Sequence, residues 1–204
     1  MSFYLNIIIV YYIKNKMTLY LLRHEKRFPI PTYFTSLTEE GLRNSEILCG
    51  KIERIQPDII ISSPFLRCIQ TIYPYASRNN KKINIDYALY EFLEDPLFSK
   101  QNYKHTYIEL YKDHPEYKDI INELYQPNIT IDQIKYPEHT FETLHTRLLP
   151  FIDYIDETYK GTDVKILIVS HQSIISSIKH YLVTGQPATK DYDFRMGHIE
   201  GIHL

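Results

Sequence analysis

Three short apolar runs along the chain stop abruptly at polar residues. They are Thr18–Leu22 before Arg23–His24, Ile59–Ile61 before Ser62–Ser63–Pro64, and Ile166–Val169 before Ser170–His171. None alternates between apolar and polar positions, and a helix-like stretch follows each. Strands covered on both faces read this way, because a parallel sheet carries helices on either side. Ile83-Asn84-Ile85 predicts a fourth strand and the closing Ile199–Leu204 a fifth. Helices are predicted between them. Thr38 can cap a helix over Glu39–Ile55, with acidic residues in its first turn and Pro57 beyond its end. Pro64 suits the opening turn of a helix over Phe65–Ala76. Thr140–Tyr159 is the longest periodic stretch, with Phe141, Leu144, Leu148, Phe151 and Ile155 on one side, a kink expected at Pro150 and a stop near Gly161. A further helix is expected over Ser173–Val183.

Between Glu91 and Glu138 the chain is irregular and tyrosine-rich, broken by Pro96, Pro115, Pro127 and Pro137. We read this as an insertion with one or two short helices, packed over the sheet. Strands alternating with helices predict a three-layer α/β/α domain with a largely parallel central sheet. The opening stretch MSFYLNIIIVYYIKNK stands apart: its apolar part, Phe3–Ile13, is too short to span a bilayer as a helix, and a secretory signal's basic start and small-residue cleavage site are missing. Residues 1–16 are therefore expected to be an appended extension, with the domain covering 17–204.

Composition narrows the class without naming a chemistry. A chain of 204 residues with 44% hydrophobic positions suits one globular domain, and 6 Gly and 11 Pro are too few for a collagen or low-complexity chain. With 23 Lys and Arg against 25 Asp and Glu, nothing in the global charge calls for nucleic acid or an anionic membrane as partner. The 2 Cys cannot build a disulfide framework, which fits a reducing, cytoplasmic setting.

The chemistry is expected where parallel sheets bind ligands, beyond the carboxyl ends of the strands. Two central strands deliver His24 and His171 to that edge, and the third delivers Ser62–Ser63–Pro64 with Arg67 one turn into a helix. Arg23 and Arg27 flank His24. Guanidiniums grip phosphate through paired N–H bonds and never lose their charge, and a neutral imidazole can accept a phosphoryl group. The combination calls for a phosphate. A Walker glycine loop is absent, neither Cys49 nor Cys68 has an arginine six residues on, and no spacing calls for a metal. His105, His114, His139, His145, His180, His198 and His203 fall in no ligand or triad spacing and are read as structural, as are Ser62 and Ser63.

LLRHEKR, LTEEG, SSPFLRCIQT, the Glu of LYEF, and IVSH, in this order from Met17 to the end, resemble the histidine phosphatase superfamily, also called phosphoglycerate mutase-like. The resemblance implies that His24 is the nucleophile, that Arg23, Arg67 and Arg27 hold the phosphate oxygens, and that His171 stabilises the transferring group. It also implies that Glu91 is the general acid, with Glu94 and Asp95 as near alternatives. An acid in that role should have a raised pKa, in keeping with a site beside Leu89, Phe92 and Leu93. RHEKR is further similar to the RHGER form of the phosphatase domain in the suppressor of T-cell receptor signalling proteins, as is the segment before Thr140. Two positions depart from the superfamily: Gln172 replaces a small residue and His139 a common Glu.

The resulting expectation is a phosphomonoester hydrolase working through a phosphohistidine on His24, without metal or cofactor. Its substrate would be a small phosphate ester or a phosphopeptide, phosphotyrosine included, with Phe28, Phe65 and Phe92 at the pocket mouth. Monomer and homodimer both remain open. The alternatives are a mutase of the phosphoglycerate type, against which LYEFLED lacks the basic residues that follow the Glu there, and a phospho-ligand-binding module without turnover.

Overall fold

The computed structural model describes residues 16–94 and 104–204. The predicted extension lies outside the described residues up to position 15, as do Asp95 and Pro96. Five strands form one sheet: β1 (Thr18–Arg23), β2 (Ile59–Ser62), β3 (Asn84–Ile85), β4 (Lys165–Ser170) and β5 (Ile199–His203), in the order β3-β2-β4-β1-β5. All neighbours are parallel except β5, which returns antiparallel along β1. Four helices complete the expected three layers: α1 (Glu39–Ile55), α2 (Leu66–Arg78), α3 (Phe141–Tyr159) and α4 (Gln172–Thr184). The parallel connections through α1 and α2 step one way across the sheet and the one through α3 steps back, so right-handed crossovers place α3 on the face opposite α1 and α2. α1 packs on α2, and α4, which leads into the antiparallel β5, packs on α3. No helix among the described residues is long and apolar enough to cross a membrane.

The register sets the site. Arg23 is paired with Ser170, so His24 and His171 leave adjacent strands side by side. The His24 amide donates to the Ser170 carbonyl at 2.9 Å, and the Ser63 amide donates to Val169 on the other side of β4 at 2.9 Å. Beneath them Leu19, Leu21, Leu22, Ile60, Ile61 and Ile166–Val169 are fully buried, which makes the carboxyl edge of the sheet a rigid platform.

Local rules account for most element ends. The Thr38 side chain accepts from the Gly41 amide at 3.1 Å, and Gln56 closes α1 in a left-handed conformation. Its buried residues Gly41, Ser45, Leu48, Cys49 and Ile52 lie on one helical stripe. One expectation needs correction: the second helix begins at Leu66 with Phe65 as its cap, so Pro64 lies outside the helix. The insertion carries short helices as expected, three among its described residues and all of them 3-10, at Tyr107–Lys112, Pro115–Asp119 and Ile131–Gln133. These turns run beyond the β3 edge, where Ile83 bridges Ile121, and Tyr117 packs on Tyr73 of α2. α3 passes unbroken through Pro150.

Gly41 explains the glycine of LTEEG. A Cβ there would stand 2.1 Å from the Lys26 carbonyl oxygen, so the bare backbone lets α1 abut the loop that follows His24. The expected outcome for Gly41→Ala is a loss of about 1–3 kcal/mol in unfolding free energy, as in other overpacked sites. Urea denaturation checks it; an unchanged midpoint would refute the close approach.

Candidate active site

The site grows from the carboxyl ends of β1, β2 and β4. His24 follows β1 and is 2% exposed. Its Nδ1 lies 2.7 Å from the Glu25 carbonyl oxygen, which can only accept, so Nδ1 carries the proton and the neutral ring keeps a lone pair on Nε2. Burial, then the charges of Arg67 and His171, push its pKa well below the usual histidine value, so the ring is neutral and nucleophilic at pH 7.

His171 is the cap residue of α4 and is fully buried. Its Nδ1 is 3.1 Å from Glu91 Oε2 and its Nε2 is 2.9 Å from Ser63 Oγ. Burial pushes its pKa down to about 4 against the pull of Glu91, so the ring is neutral, donating to the carboxylate and accepting from the serine. The two imidazoles meet edge to face with centroids 5.3 Å apart. Ser63, read from sequence as a turn residue, is thus the group that orients His171.

Arg67, in the first turn of α2, has no exposed surface. One terminal nitrogen donates to the Thr32 carbonyl at 2.8 Å and the other to Glu91 Oε2 at 3.1 Å, while Nε has no partner. The guanidinium lies over the Phe65 ring at 4.5 Å. Arg23 donates to Gln172 Oε1 and, at 2.7 Å, to the Phe194 carbonyl, with its buried Nε unpartnered. Gln172, the departure noted in the sequence, is therefore an internal ligand of Arg23. Arg27 donates to the carbonyls of Phe28 and Pro29 at 2.7 and 2.8 Å, and its charge is felt at His171.

Glu91 links these groups. Oε2 faces both Arg67 and His171, and Oε1 accepts from the Phe92 amide at 3.1 Å. Burial alone would raise this carboxyl, but His171, Arg67 and His24 outweigh it and hold the pKa well below the usual carboxylate range. The raised pKa expected from its apolar neighbours is thus overturned by its neighbours in space. Glu94 is exposed to solvent, away from this cluster.

The structure brings His24, His171, Arg67 and Glu91 into direct contact range and holds Arg23 and Arg27 beside them. Ligating atoms of His24, Glu91 and His171 all lie within 4.8 Å of one another, a grouping with metal-binding potential that no sequence spacing revealed. Here the field decides. Arg67 shares the same carboxylate oxygen and two more guanidiniums stand nearby, so the cluster favours an anion over a cation. Of the phenylalanines expected at the mouth, only Phe28 is exposed; Phe65 lies buried under Arg67 and Phe92 packs on Phe141 at 5.1 Å. Three of the other histidines make structural contacts: Nε2 of His145 accepts from the Ala188 amide at 2.8 Å, His203 bonds Thr18, and His180 stacks on Tyr192. Both cysteines are buried free thiols, and burial pushes Cys68 up to about 12.

A family model described as the histidine phosphatase superfamily (branch 1) matches residues 20–200. No curated protein matches the chain. Among solved structures, the ecdysone phosphate phosphatase of Bombix mori, in complex with tungstate, is 15% identical, with a TM-score of 0.65 over 91% of this chain and 88% of that one. A mycobacterial glucosyl-3-phosphoglycerate phosphatase is 17% identical, with a TM-score of 0.59 over 90% and 88%. Bacillus stearothermophilus YhfR is 20% identical, with a TM-score of 0.57 over 84% and 81%. At these identities the structural likeness speaks for the fold.

The pKa directions fix a pH dependence. Both pocket histidines bind a proton less readily folded than unfolded, so their stabilisation is full above the ordinary value of 6.5 and is lost as pH falls toward about 4 for His171. Glu91, depressed from 4.5, adds a further loss only below that value. Between pH 7 and 5 the unfolding free energy should drop by about 2 kcal/mol through His171 alone, with His24 adding in the same direction. Urea titrations of wild type and His171→Gln check this; a variant with the wild-type pH slope would contradict the buried neutral ring.

Proposed function

The chain belongs to the histidine phosphatase superfamily, and from that premise we propose that it is a phosphatase that hydrolyses phosphomonoesters through a phosphohistidine on His24. The observation that carries this reading is the meeting of a lone-pair-bearing His24, a fully buried Arg67 and the shared carboxylate of Glu91 at one sheet edge.

In the free pocket Glu91 occupies the anion seat. An arriving phosphate competes for Arg67 and His171, and its charge next to the carboxylate raises the proton affinity of Glu91, converting it to the acid that the reaction needs. His24 Nε2 then attacks phosphorus, the P–N bond forms, the ester P–O bond breaks, and the Glu91 proton passes to the leaving oxygen. In the second half Glu91 takes a proton from water, the water oxygen attacks phosphorus, and the P–N bond breaks to release phosphate. Arg67, Arg23 and Arg27 stabilise the equatorial oxygens, and the N-termini of α2 and α4 add to the positive field. This chain's residues supply both proton transfer and charge stabilisation, so no metal or cofactor enters the cycle.

The rim supports an aryl or otherwise apolar leaving group. Phe28, Ile30 and Phe34 are 52%, 72% and 41% exposed on one segment, whose backbone is held by Arg27 and Arg67. Small aryl phosphates and phosphotyrosine peptides are therefore the substrates of choice, in line with the Arg27 form of the motif. The two buried free thiols fit a cytoplasmic setting.

His24→Ala is expected to lower turnover of 4-nitrophenyl phosphate by at least about 10³-fold while keeping the fold, as for other nucleophile deletions. Rapid quench of wild type should trap an acid-labile phosphoenzyme, and EDTA should leave the rate unchanged. Full activity in the alanine variant, or its loss on chelation, would sink the reading. Net phosphoryl transfer from 2,3-bisphosphoglycerate to a phosphoglycerate acceptor, outrunning hydrolysis, would indicate a mutase. A phosphoenzyme that forms without turning over would indicate a binding module.

A further inference from the structure

Arg147 sits on the buried face of α3, between Leu144 and Leu148, a place that an ordinary surface helix gives to an apolar residue. Its charge is met by Glu138, just before α3: Nε donates to Oε1 and Nη2 to Oε2, both at 2.8 Å, in a two-pronged pair with both side chains 5% exposed or less. The remaining N–H groups reach the backbone that carries Glu91. Nη1 donates to the carbonyls of Ala88 at 2.6 Å and Tyr90 at 3.0 Å, with Tyr87 at 3.4 Å, and Nη2 reaches the Glu91 carbonyl at 3.3 Å. The carbonyl left over, Leu89, accepts from Ser170 Oγ at 2.8 Å, one residue before His171. Every carbonyl from Ala88 to Glu91 is thus held by a buried side chain of another element.

Glu138 also grips the far side of Glu91. Its Oε2 accepts from the Leu93 amide and its own amide donates to the Leu93 carbonyl, both at 3.0 Å. Glu138, just before α3, is thereby tied to the chain two residues past Glu91 through both backbone groups of Leu93. A buried ion pair is a poor stabiliser compared with apolar packing of the same volume. Placing one here makes sense if the fork geometry itself is needed.

We propose that Arg147, clamped by Glu138, is a positioning residue that fixes the Glu91 backbone so that its carboxyl reaches the leaving oxygen. The proposal rests on the reading of Glu91 as general acid. A misplaced acid matters little when the leaving group is itself acidic and departs without a proton, and it matters most for alkyl leaving groups. A purely structural role would instead lower all substrates alike.

The test is a series of monophosphates from 4-nitrophenyl through phenyl to alkyl, with kcat/KM measured for wild type, Glu91→Gln, Arg147→Lys and Glu138→Gln. Lysine keeps the charge but cannot bridge the carboxylate and the carbonyls together. Arg147→Lys should stay within about threefold of wild type on 4-nitrophenyl phosphate and fall at least about 30-fold on an alkyl phosphate, following the steeper profile of Glu91→Gln. Should the lysine variant fail to fold, Glu138→Gln, which preserves shape and the Leu93 contact, should show the same tilt on a smaller scale. A uniform loss across the series, or none, in a folded variant overturns the positioning role. A uniform loss in Glu91→Gln would instead overturn the acid role on which it rests.

Discussion

A guanidinium with no exposed surface is costly: taken out of water, a charge must be met by an opposite charge and by acceptors in fixed places. Arg67 is in that position, and the rest of the structure is arranged around it. Its needs are met from three directions, by the Thr32 carbonyl of the β1–α1 loop, by the Phe65 ring beneath it, and by Glu91. Glu91 in turn must be presented at the right height, which is the work of Ser170, Arg147 and Glu138. Losing the Glu91 contact would leave a buried positive charge facing two imidazoles, so the free pocket is stable only with its own carboxylate inside it.

This dependence also explains which parts were readable in the chain. The strand ends, the α1 boundaries and the pairing of His24 with His171 follow from punctuation by polar residues after apolar runs, which is local information. Gly41 and Thr38 carry equally local signals. Less was legible wherever the partner lies far off in sequence. Ser63 read as a turn residue because its partner, His171, arrives only through the register of β2 with β4. Glu91 read as a carboxyl with a raised pKa because its neighbours in sequence are apolar, whereas its neighbours in space are Arg67 and His171. The insertion's short helices were legible as such, but their 3-10 form was not, because it depends on where each turn packs.

Arg147 did leave a trace. An arginine between Leu144 and Leu148 on the apolar stripe of a long helix breaks the amphipathic pattern, and a charge that breaks such a stripe needs a buried partner. Glu138, rather than the position of His139 where a Glu is common in the superfamily, provides it. His139 itself is exposed, so the departure noted there costs the site nothing.

A pocket that satisfies its own cations binds phosphate less tightly than one that leaves them bare, because the incoming anion gains only the difference between its contacts and those of Glu91. For the proposed hydrolase, which would release inorganic phosphate at each turnover, this is an advantage. Uniformly tight binding of the phosphate group would hold product as firmly as substrate and would not speed the chemical step. The displaced carboxylate then does a second task, since the charge that weakens its hold on Arg67 also raises its affinity for a proton. In the proposed reaction Glu91 would thus limit ground-state affinity when ionised and serve the leaving group when protonated, so that one ion pair would connect the stability of the fold to the rate.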